Sequence, residues 1–335
     1  MVTKQLEQII NPIYQVGGSV RDELIGLTPK DYDYATPLSP DEIETAIRAA
    51  GKKPYLIGKR FGTVGVMIEG QMVEITTFRS EQYTPKSRKP NVEFVKDIVQ
   101  DLSRRDFTVN SMAKRGYKLI DPFKGMDDAR DGIIRCVGNP RERYREDPLR
   151  MLRAARFASQ LNFTIEENTE KKVTEMAYKI LEVSKERWVM ELDKLLMSNF
   201  PNLGLDFLMR TRLLNFMIPE LSLQLGYCQN SPYHKMELWE HTVTVVCNVE
   251  RNINIRWGAL LHDVAKPFTR TNKADRSNYI MHELLGADMV ERIGRHLKWS
   301  NDRIKTVKHL VLTHMEETNP MRQADFIGKR KETDA

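Results

Sequence analysis

The stretch that decides the fold is Val16-Gly17-Gly18-Ser19-Val20-Arg21-Asp22, followed closely by Asp31-Tyr32-Asp33-Tyr34. The pattern indicates a strand, a glycine turn, a short helix and a second strand that carries two carboxylates. Gly17 and Gly18 allow backbone N–H groups to approach phosphate oxygens at a helix start, where the helix dipole favours anions. Arg21 lies one turn further on, where it can pair with a phosphate oxygen. The first stretch is therefore predicted to bind phosphate groups.

The second stretch predicts a magnesium site. Residues two apart on a strand share a face, so Asp31 and Asp33 are expected to point together. Magnesium held there would lower the pKa of an attacking hydroxyl and neutralise a leaving pyrophosphate, as in two-metal polymerases. Glu74, in the β-like run Met72–Phe78, is the predicted third carboxylate, because its apolar neighbours on either side would face the core.

The pattern around these stretches predicts an α+β protein. Short β-like runs alternate with turns up to about Gly138, which indicates a mixed-sheet head. From Arg143 onward the chain reads as apolar-periodic helices, among them Asp147–Leu161 and Glu186–Met197. The predicted strands are residues 14–16, 32–35, 62–68, 72–78 and 92–95. We expect a head followed by an all-helical neck and body and a last helical domain.

Two motifs in the head carry a family resemblance. Gly-Gly followed by Asp-x-Asp resembles the signature of the nucleotidyltransferase superfamily. Leu102-Ser103-Arg104-Arg105-Asp106-Phe107-Thr108-Val109-Asn110 resembles the R-R-D-F-T-x-N motif of class II CCA-adding enzymes and bacterial poly(A) polymerases. The resemblance implies that Arg105 contacts the phosphate or ribose of a bound nucleotide and that Asp106 contacts its sugar. The alternative interpretation of this motif is that its residues only cap the start of a helix and that their charged side chains face water.

A third motif, Glu146-Asp147-Pro148-Leu149-Arg150, is similar to the family's E-D-x-x-R motif. In the family the Asp and Arg act as an amino-acid template for the base, so the resemblance implies that Asp147 and Arg150 select C or A. Their spacing of three residues predicts that both side chains lie on the same face of one helix. The family also places the next two arginines, here Arg153 and Arg156, near the nucleotide. For Arg156 the alternative is that the aliphatic part of its side chain only covers apolar surface and that the residue has no contact with the nucleotide.

All seven histidines follow position 230. Glu240-His241-Thr242, Leu260–Pro267 and His282-Glu283 together resemble an HD domain, a helical metal-dependent phosphohydrolase fold. The resemblance implies a second divalent metal, a transition metal or magnesium, that activates water against a phosphoester. Its four expected ligands are His241, His262, Asp263 and His282. His309 and His314 either complete this site or cap helices, and His234 and His296 are interpreted as ordinary core or surface residues.

The resemblance covers roughly Tyr14 to His314 and implies a template-independent tRNA nucleotidyltransferase. Such an enzyme adds C and A residues to the tRNA 3′ end from CTP and ATP, and it releases pyrophosphate. The helical half would hold the tRNA acceptor stem through shape and phosphate contacts. Lys86 lies in a loop where the family usually carries an acidic residue, which leaves open a CC-only or A-only enzyme. A poly(A) polymerase is another alternative within the same family. Further alternatives are an HD phosphohydrolase acting on RNA ends and a non-catalytic tRNA-binding protein.

Length and composition set the remaining expectations. At 335 residues and 39.0 kDa, two or more packed units are expected. The predicted boundaries are 1–138 for the head, 139–225 for the nucleotide- and RNA-binding neck and body, 226–325 for the HD-like domain, and 326–335 for a basic tail. The formal charge of +6 helps to attract a polyanion without identifying one.

The cysteines and the apolar runs bear on the compartment. Three cysteines lie far apart without a C-x-x-C pair, which favours a reducing cytoplasm. The N-terminus lacks the core of a signal peptide, and no apolar stretch approaches the roughly 20 residues that span a bilayer. We therefore expect a cytoplasmic protein without a membrane partner.

Overall fold

A computed structural model describes residues 2–29, 31–82, 91–230, 236–272 and 276–327. The chain folds as two compact units, one formed by Met1–Asp147 with Thr164–Thr169 and the other by Pro148–Phe163 with the chain from Glu170 onward. The finer division at residues 225 and 325 stays a prediction. Lys86 and the tail from residue 328 lie outside the described residues.

The first unit is built on a mixed sheet, as predicted. Seven strands are hydrogen-bonded in the order β3-β4-β5-β2-β1-β8-β9, in which β2 and β5 run parallel and every other neighbouring pair runs antiparallel. Two further pairs, β6 with β7 and β10 with β11, complete the unit. The strands are β1 (Tyr14–Val16), β2 (Asp33–Thr36), β3 (Pro54–Tyr55), β4 (Thr63–Ile68), β5 (Gln71–Thr77), β6 (Arg79–Gln82), β7 (Asn91–Phe94), β8 (Ala113–Arg115), β9 (Lys118–Ile120), β10 (Ile133–Ile134) and β11 (Thr164–Ile165). The helices are α1 (Val2–Ile9), α2 (Gly18–Leu24), α3 (Pro40–Ala49), α4 (Ile98–Ser103), α5 (Gly125–Asp131) and α6 (Pro140–Glu146).

The two faces of the seven-stranded sheet are covered differently. Alternate residues of β4 and β5 point to one face, where they pack against apolar side chains of α1 and α3 in a continuous core. On the other face a smaller apolar cluster joins β1, β2 and β8 to α4. The smaller cluster contains Val16, Ala35, Phe78, Ile98, Leu102 and Ala113. This second face is therefore only partly covered, and it carries the predicted carboxylates.

The second unit is helical apart from one short hairpin, which confirms the predicted class. Pro201 and Pro219 occupy the first turns of α10 and α12, where the missing N–H group costs no hydrogen bond. The helices are α7 (Leu149–Leu161), α8 (Glu167–Met176, which begins in the first unit), α9 (Lys185–Leu196), α10 (Pro201–Arg210), α11 (Leu213–Met217), α12 (Pro219–Ser222), α13 (Leu238–Asn248), α14 (Ile253–Leu261), α15 (Lys266–Thr269), α16 (His282–His296), α17 (Asn301–Leu312) and α18 (Arg322–Ile327), with a hairpin of β12 (Thr271–Asn272) and β13 (Ser277–Asn278). In the part of the chain that the structure describes, no helix is both long and apolar enough to cross a bilayer.

One predicted helix begins later than expected. The sequence interpretation placed Asp147 on the same helix as Arg150, but α7 begins only at Leu149. Asp147 ends the preceding helix with φ −142° and ψ 103°, an extended conformation. A residue before proline is disfavoured in the helical region, and Pro148 follows Asp147 directly. The argument from helical spacing is therefore wrong for this pair.

Candidate functional site

Two of the predicted carboxylates are neighbours across the sheet. Asp33 opens β2 and is the register partner of Glu74 on the parallel strand β5, so the two side chains leave the same face. Both side chains are exposed. Carboxylate oxygens are the ligands that magnesium prefers, and the pair fits such an ion.

Asp31 differs from its prediction, because it precedes β2 in an exposed bend and is not on the strand. The ladder stops at the pair formed by Val16 and Asp33, since Gly17 turns the chain away with φ 73°. Asp31 nevertheless lies close enough to act on Asp33. Loss of hydration raises the pKa of Asp33; the Arg105 guanidinium opposes this shift and the Asp31 carboxylate adds to it. A bound cation would relieve this repulsion.

A network of arginines lies beside the carboxylates. A Cβ atom at Gly17 would come within 2.9 Å of the Arg105 Nη1 atom, so a larger residue there would force this guanidinium to shift. The same Nη1 atom donates to the Asn110 carbonyl at 3.3 Å. Arg21 is buried and donates through Nη1 to the Asn110 side-chain oxygen at 2.6 Å, and its other nitrogens donate to Asp22. The glycine turn and the arginine motif thus meet in one place.

Asp101 binds Arg105 and its neighbour Arg104, and the sequence analysis did not predict it as a site residue. The carboxylate is buried, and its Oδ1 atom accepts from Arg104 at 2.8 Å and from the Arg79 backbone N–H at 3.2 Å. Its Oδ2 atom accepts from Arg105 Nη2 at 3.3 Å. Burial by itself would raise the pKa of Asp101, but the two guanidinium groups outweigh it and hold that pKa below its usual value. The only sign of this role in the sequence is that Asp101 lies three residues before Arg104 and four residues before Arg105.

Asp106 lies deeper than its predicted contact with a sugar suggests. It is buried, and its Oδ1 atom accepts from the Phe107 backbone N–H at 2.9 Å and from the Asn110 amide at 3.3 Å. Asn110 therefore joins Asp106, Arg21 and Arg105. It closes the R-R-D-F-T-x-N motif, which is the signal that could have identified it.

The predicted arginines of the second unit lie on α7. Arg150 is buried and Arg153 is partly buried, with its guanidinium carbon 5.4 Å from the centre of the Phe157 ring. Arg156 is buried and pairs through Nε with Glu191 at 2.9 Å. Roles for these three residues in nucleotide binding stay predictions.

The four predicted HD-like ligands come together in a buried cluster. Asp263 lies at the centre: its Oδ2 atom is 3.2 Å from His241 Nε2 and 3.1 Å from His262 Nε2, while its Oδ1 atom is 3.4 Å from His282 Nε2. All four side chains are buried. The structure adds His314, whose Nε2 atom is 3.2 Å from that of His282.

Asp325 on α18 is the acidic member that the sequence did not reveal. Its Oδ1 atom is 3.3 Å from His241 Nε2. The cluster thus divides into two groups of three buried donors, each able to surround one cation. The groups are His241, His262 and Asp325, and Asp263, His282 and His314. His309 is exposed on α17 and belongs to neither.

Backbone carbonyls fix the orientation of three of these histidines. The Nδ1 atoms of His262, His282 and His314 lie 2.7–2.8 Å from the carbonyl oxygens three residues earlier. A carbonyl only accepts, so each Nδ1 carries the proton and donates it, which leaves Nε2 free to bind a metal. Mixed nitrogen and oxygen donors of this kind suit a divalent transition metal.

Charge within the cluster favours an ionised Asp263. Burial opposes ionisation, but His262 and Lys266 outweigh it and hold the pKa of Asp263 well below its usual range. The Lys266 Nζ atom is 2.6 Å from Oδ2 of Asp263 and also donates to Gln229 at 2.9 Å. Burial, with a contribution from His262, lowers the pKa of His314 to about 4, so this imidazole is neutral at pH 7.

Three domain families match the chain in the order that the motifs predict. The poly A polymerase head domain matches residues 13–135, the probable RNA and SrmB-binding site of polymerase A matches residues 162–225, and the HD domain matches residues 238–333. The chain belongs to the poly A polymerase and CCA-adding enzyme family. This confirms the resemblance inferred from the sequence motifs. Nucleotidyltransferases of this kind and HD proteins are metal-dependent families.

Curated members of the family match the chain over part of their length. The CCA-adding enzyme of Levilactobacillus brevis is 41% identical over 239 residues, which cover 71% of this chain and 56% of that enzyme. The CCA-adding enzyme of Bacillus licheniformis is 45% identical over 185 residues, which cover 55% of this chain and 46% of that enzyme. The chain thus spans about half the length of these relatives.

A solved family structure has the same fold. The Bacillus stearothermophilus CCA-adding enzyme in complex with CTP superposes with a TM-score of 0.67 at 28% identity, over 94% of this chain and 69% of that one. The mixed-sheet head followed by helices is therefore the architecture of this family.

Proposed function

We propose that the protein is a template-independent tRNA nucleotidyltransferase that adds CCA to the tRNA 3′ end from CTP and ATP and releases pyrophosphate. The observation that carries the proposal is the pair of exposed carboxylates, Asp33 and Glu74, on adjacent parallel strands beside the arginine network. The similarity to curated CCA-adding enzymes supports the choice of substrate. A cytoplasmic location follows from a tRNA substrate.

In the proposed mechanism Asp31, Asp33 and Glu74 would hold magnesium next to the reacting atoms. When bound, magnesium lowers the pKa of the primer 3′-hydroxyl and neutralises the leaving pyrophosphate. Arg105 supplies positive charge at the nucleotide phosphates, and Gly18 leaves the backbone open to them. Asp101 and the Asn110 carbonyl position Arg105 before the nucleotide binds, which reduces the entropy lost on binding.

Selection of the base is assigned to two residues of the E-D-x-x-R motif. Asp147 offers acceptors and Arg150 offers donors, and together they match the Watson–Crick edge of C or A without a nucleic-acid template. Arg153 and Arg156 add positive charge near the nucleotide in this proposal. Residues 139–225 then form the nucleotide- and RNA-binding neck and body.

The test uses tRNA transcripts that lack all, one or two of the terminal CCA residues. They are incubated with magnesium and labelled CTP or ATP, and the products are separated on a sequencing gel. We expect full CCA from the wild type, at least a 100-fold loss in Asp31→Ala, and normal products from Asp127→Ala, which removes an exposed carboxylate elsewhere on the head. No transfer by the wild type would refute the proposal.

The same gel distinguishes the alternative activities within the family. Products that stop at CC, or transfer of A alone, would identify a partial nucleotidyltransferase. Long A tracts would identify a poly(A) polymerase. tRNA binding without transfer or hydrolysis under any divalent ion would identify a binding protein.

A second candidate function is metal-dependent hydrolysis of phosphoesters at RNA ends by the HD-like cluster. Six buried ligand groups, with the Asp263 carboxylate among them, favour it, because a metal pair there would activate water. Hydrolysis of 2′,3′-cyclic and terminal phosphates should persist in Asp31→Ala and disappear in His262→Ala. The reverse pattern would assign the hydrolysis to the head.

A further inference from the structure

A row of residues runs across the head sheet from the carboxylates to its edge. Glu74 on β5 is the register partner of Gly65 on β4, and Gly65 is the register partner of Tyr55 on β3. Register partners project from the same face, so Asp33, Glu74, Gly65 and Tyr55 form one line. With strands about 4.8 Å apart, Tyr55 lies about 10 Å from Glu74.

The two directions along this row differ in their surroundings. Beyond Asp33 the row continues through Val16 and Ala113, which are buried in the cluster beneath α4. In the other direction the row ends in exposed side chains, and Gly65 is buried beneath them. Tyr55 is 38% exposed there, and Met72, two residues before Glu74, is 47% exposed.

The covered side is where the nucleotide phosphates are placed in the proposed mechanism. Gly17 directly follows Val16, and Arg105 follows α4, so both belong to that side. Phosphoryl transfer requires the attacking and leaving oxygens to be roughly in line on opposite sides of the phosphorus atom. If pyrophosphate leaves toward the covered side, the primer 3′-hydroxyl must arrive from the open side, over Gly65 and Tyr55.

Tyr55 has the surroundings of a stacking platform. The Lys53 Nζ atom is 5.9 Å from the centre of the Tyr55 ring. Among the described residues no carboxylate pairs with Lys53, so its charge is available to a phosphate. A Cβ atom at Gly65 would lie 3.2 Å from Tyr55 Cβ and 3.3 Å from Met72 Sδ, so a larger residue would push these side chains apart.

We propose that Tyr55 stacks one of the last two bases of the RNA primer and that Lys53 contacts the adjoining phosphate. The inference rests on the proposed transferase function and adds a primer subsite to it. Single-stranded RNA is recognised by stacking on aromatic rings together with positive charge along the backbone, which is what this edge of the sheet offers.

The test separates primer binding from nucleotide binding. Tyr55→Ala is expected to raise both KM for a tRNA ending in CC and the Kd for that tRNA without nucleotide by about 5- to 150-fold, because a stacked base contributes about 1–3 kcal/mol. KM for ATP should stay within about twofold. Tyr55→Phe should retain wild-type values, since it keeps the ring.

The matched control is Tyr117→Ala, which removes a fully exposed tyrosine beside β8 and β9 at the other end of the same sheet. It should leave all these constants unchanged. Wild-type transfer with an unaltered primer KM and Kd in Tyr55→Ala would overturn the subsite while leaving the transferase intact. A rise in KM for ATP as large as that for tRNA would also overturn it. Absence of transfer in the wild type would instead refute the function on which it rests.

Discussion

Replacing Asp101 by asparagine should weaken both the fold of the head and its affinity for nucleotide. The substitution keeps the shape of the side chain but removes the charge that faces Arg104 and Arg105. Breaking a fully buried ion pair costs about 3–5 kcal/mol. The two arginines keep 18% and 19% of their side-chain surface in water, so we expect a loss of about 2–3 kcal/mol in the free energy of unfolding.

The effect on binding follows from the position of Arg105. Without the Asp101 carboxylate, this guanidinium loses one of the two contacts that hold it beside Gly17 and keeps the one to the Asn110 carbonyl. A loss of about 1.4 kcal/mol in phosphate binding corresponds to a tenfold rise in KM for CTP and ATP. The primer KM should stay unchanged. Stability is measured by urea unfolding and the two KM values by initial rates of transfer.

Acid pH provides an independent check on the same carboxylate. Because the folded-state pKa of Asp101 is lowered, its contribution is complete above the unfolded value of about 3.9 and is lost as pH falls through the lower folded value. The stability difference between wild type and Asp101→Asn should therefore be constant near pH 7 and shrink below about pH 4.

The matched control is Asp97→Asn at the start of the same helix, where asparagine also caps well. A variant as stable as wild type, with an unchanged KM for CTP, would refute the reasoning.

Two further predictions concern the glycine turn and the buried cluster. Gly17→Ala should raise KM for CTP well above the KM of Gly138→Ala. Both glycines have φ near 70°, but of the two only Gly17 has a guanidinium next to the position of an added Cβ atom. Equal KM values for the two variants would contradict this. Mn²⁺ at about 100 times its Kd should add about 2.7 kcal/mol to the free energy of unfolding, and EDTA or His262→Ala should remove this gain. An undiminished gain in His262→Ala would place the ion elsewhere.

Much of the head was predictable because its strands have clear local patterns. β1 matches its predicted bounds, and β4 and β5 lie within one residue of theirs, since alternating apolar residues next to turns mark strands well. The parallel pairing of β2 with β5, which brings Asp33 beside Glu74, has no local signal. It depends on the order of strands in the sheet.

The parts that the sequence did not reveal depend on tertiary contacts. Asp325 is a single acidic residue in an ordinary helical pattern, and its importance appears only when histidines from distant elements surround it. Asp101 has its arginine partners close by in the chain, but nothing local shows that its carboxylate is buried. The extended conformation of Asp147 was predictable, because a proline disfavours the helical conformation of the residue before it. The sequence analysis gave more weight to the three-residue spacing between Asp147 and Arg150 than to this signal.

The first unit is not continuous in the chain, and this sets an order for its assembly during synthesis. Strand β10 pairs with β11, and the backbone N–H of Cys136 donates to Thr169 Oγ1 at 3.2 Å, so residues 164–169 complete the head. The ribosome makes all of α7 before it reaches them. A nascent chain of 147 residues therefore lacks the partner of β10, which follows within about 22 further residues, one to several seconds later at ordinary translation rates. A head expressed alone keeps the pairing of β10 with β11 and the Thr169 contact only if its chain extends to residue 169.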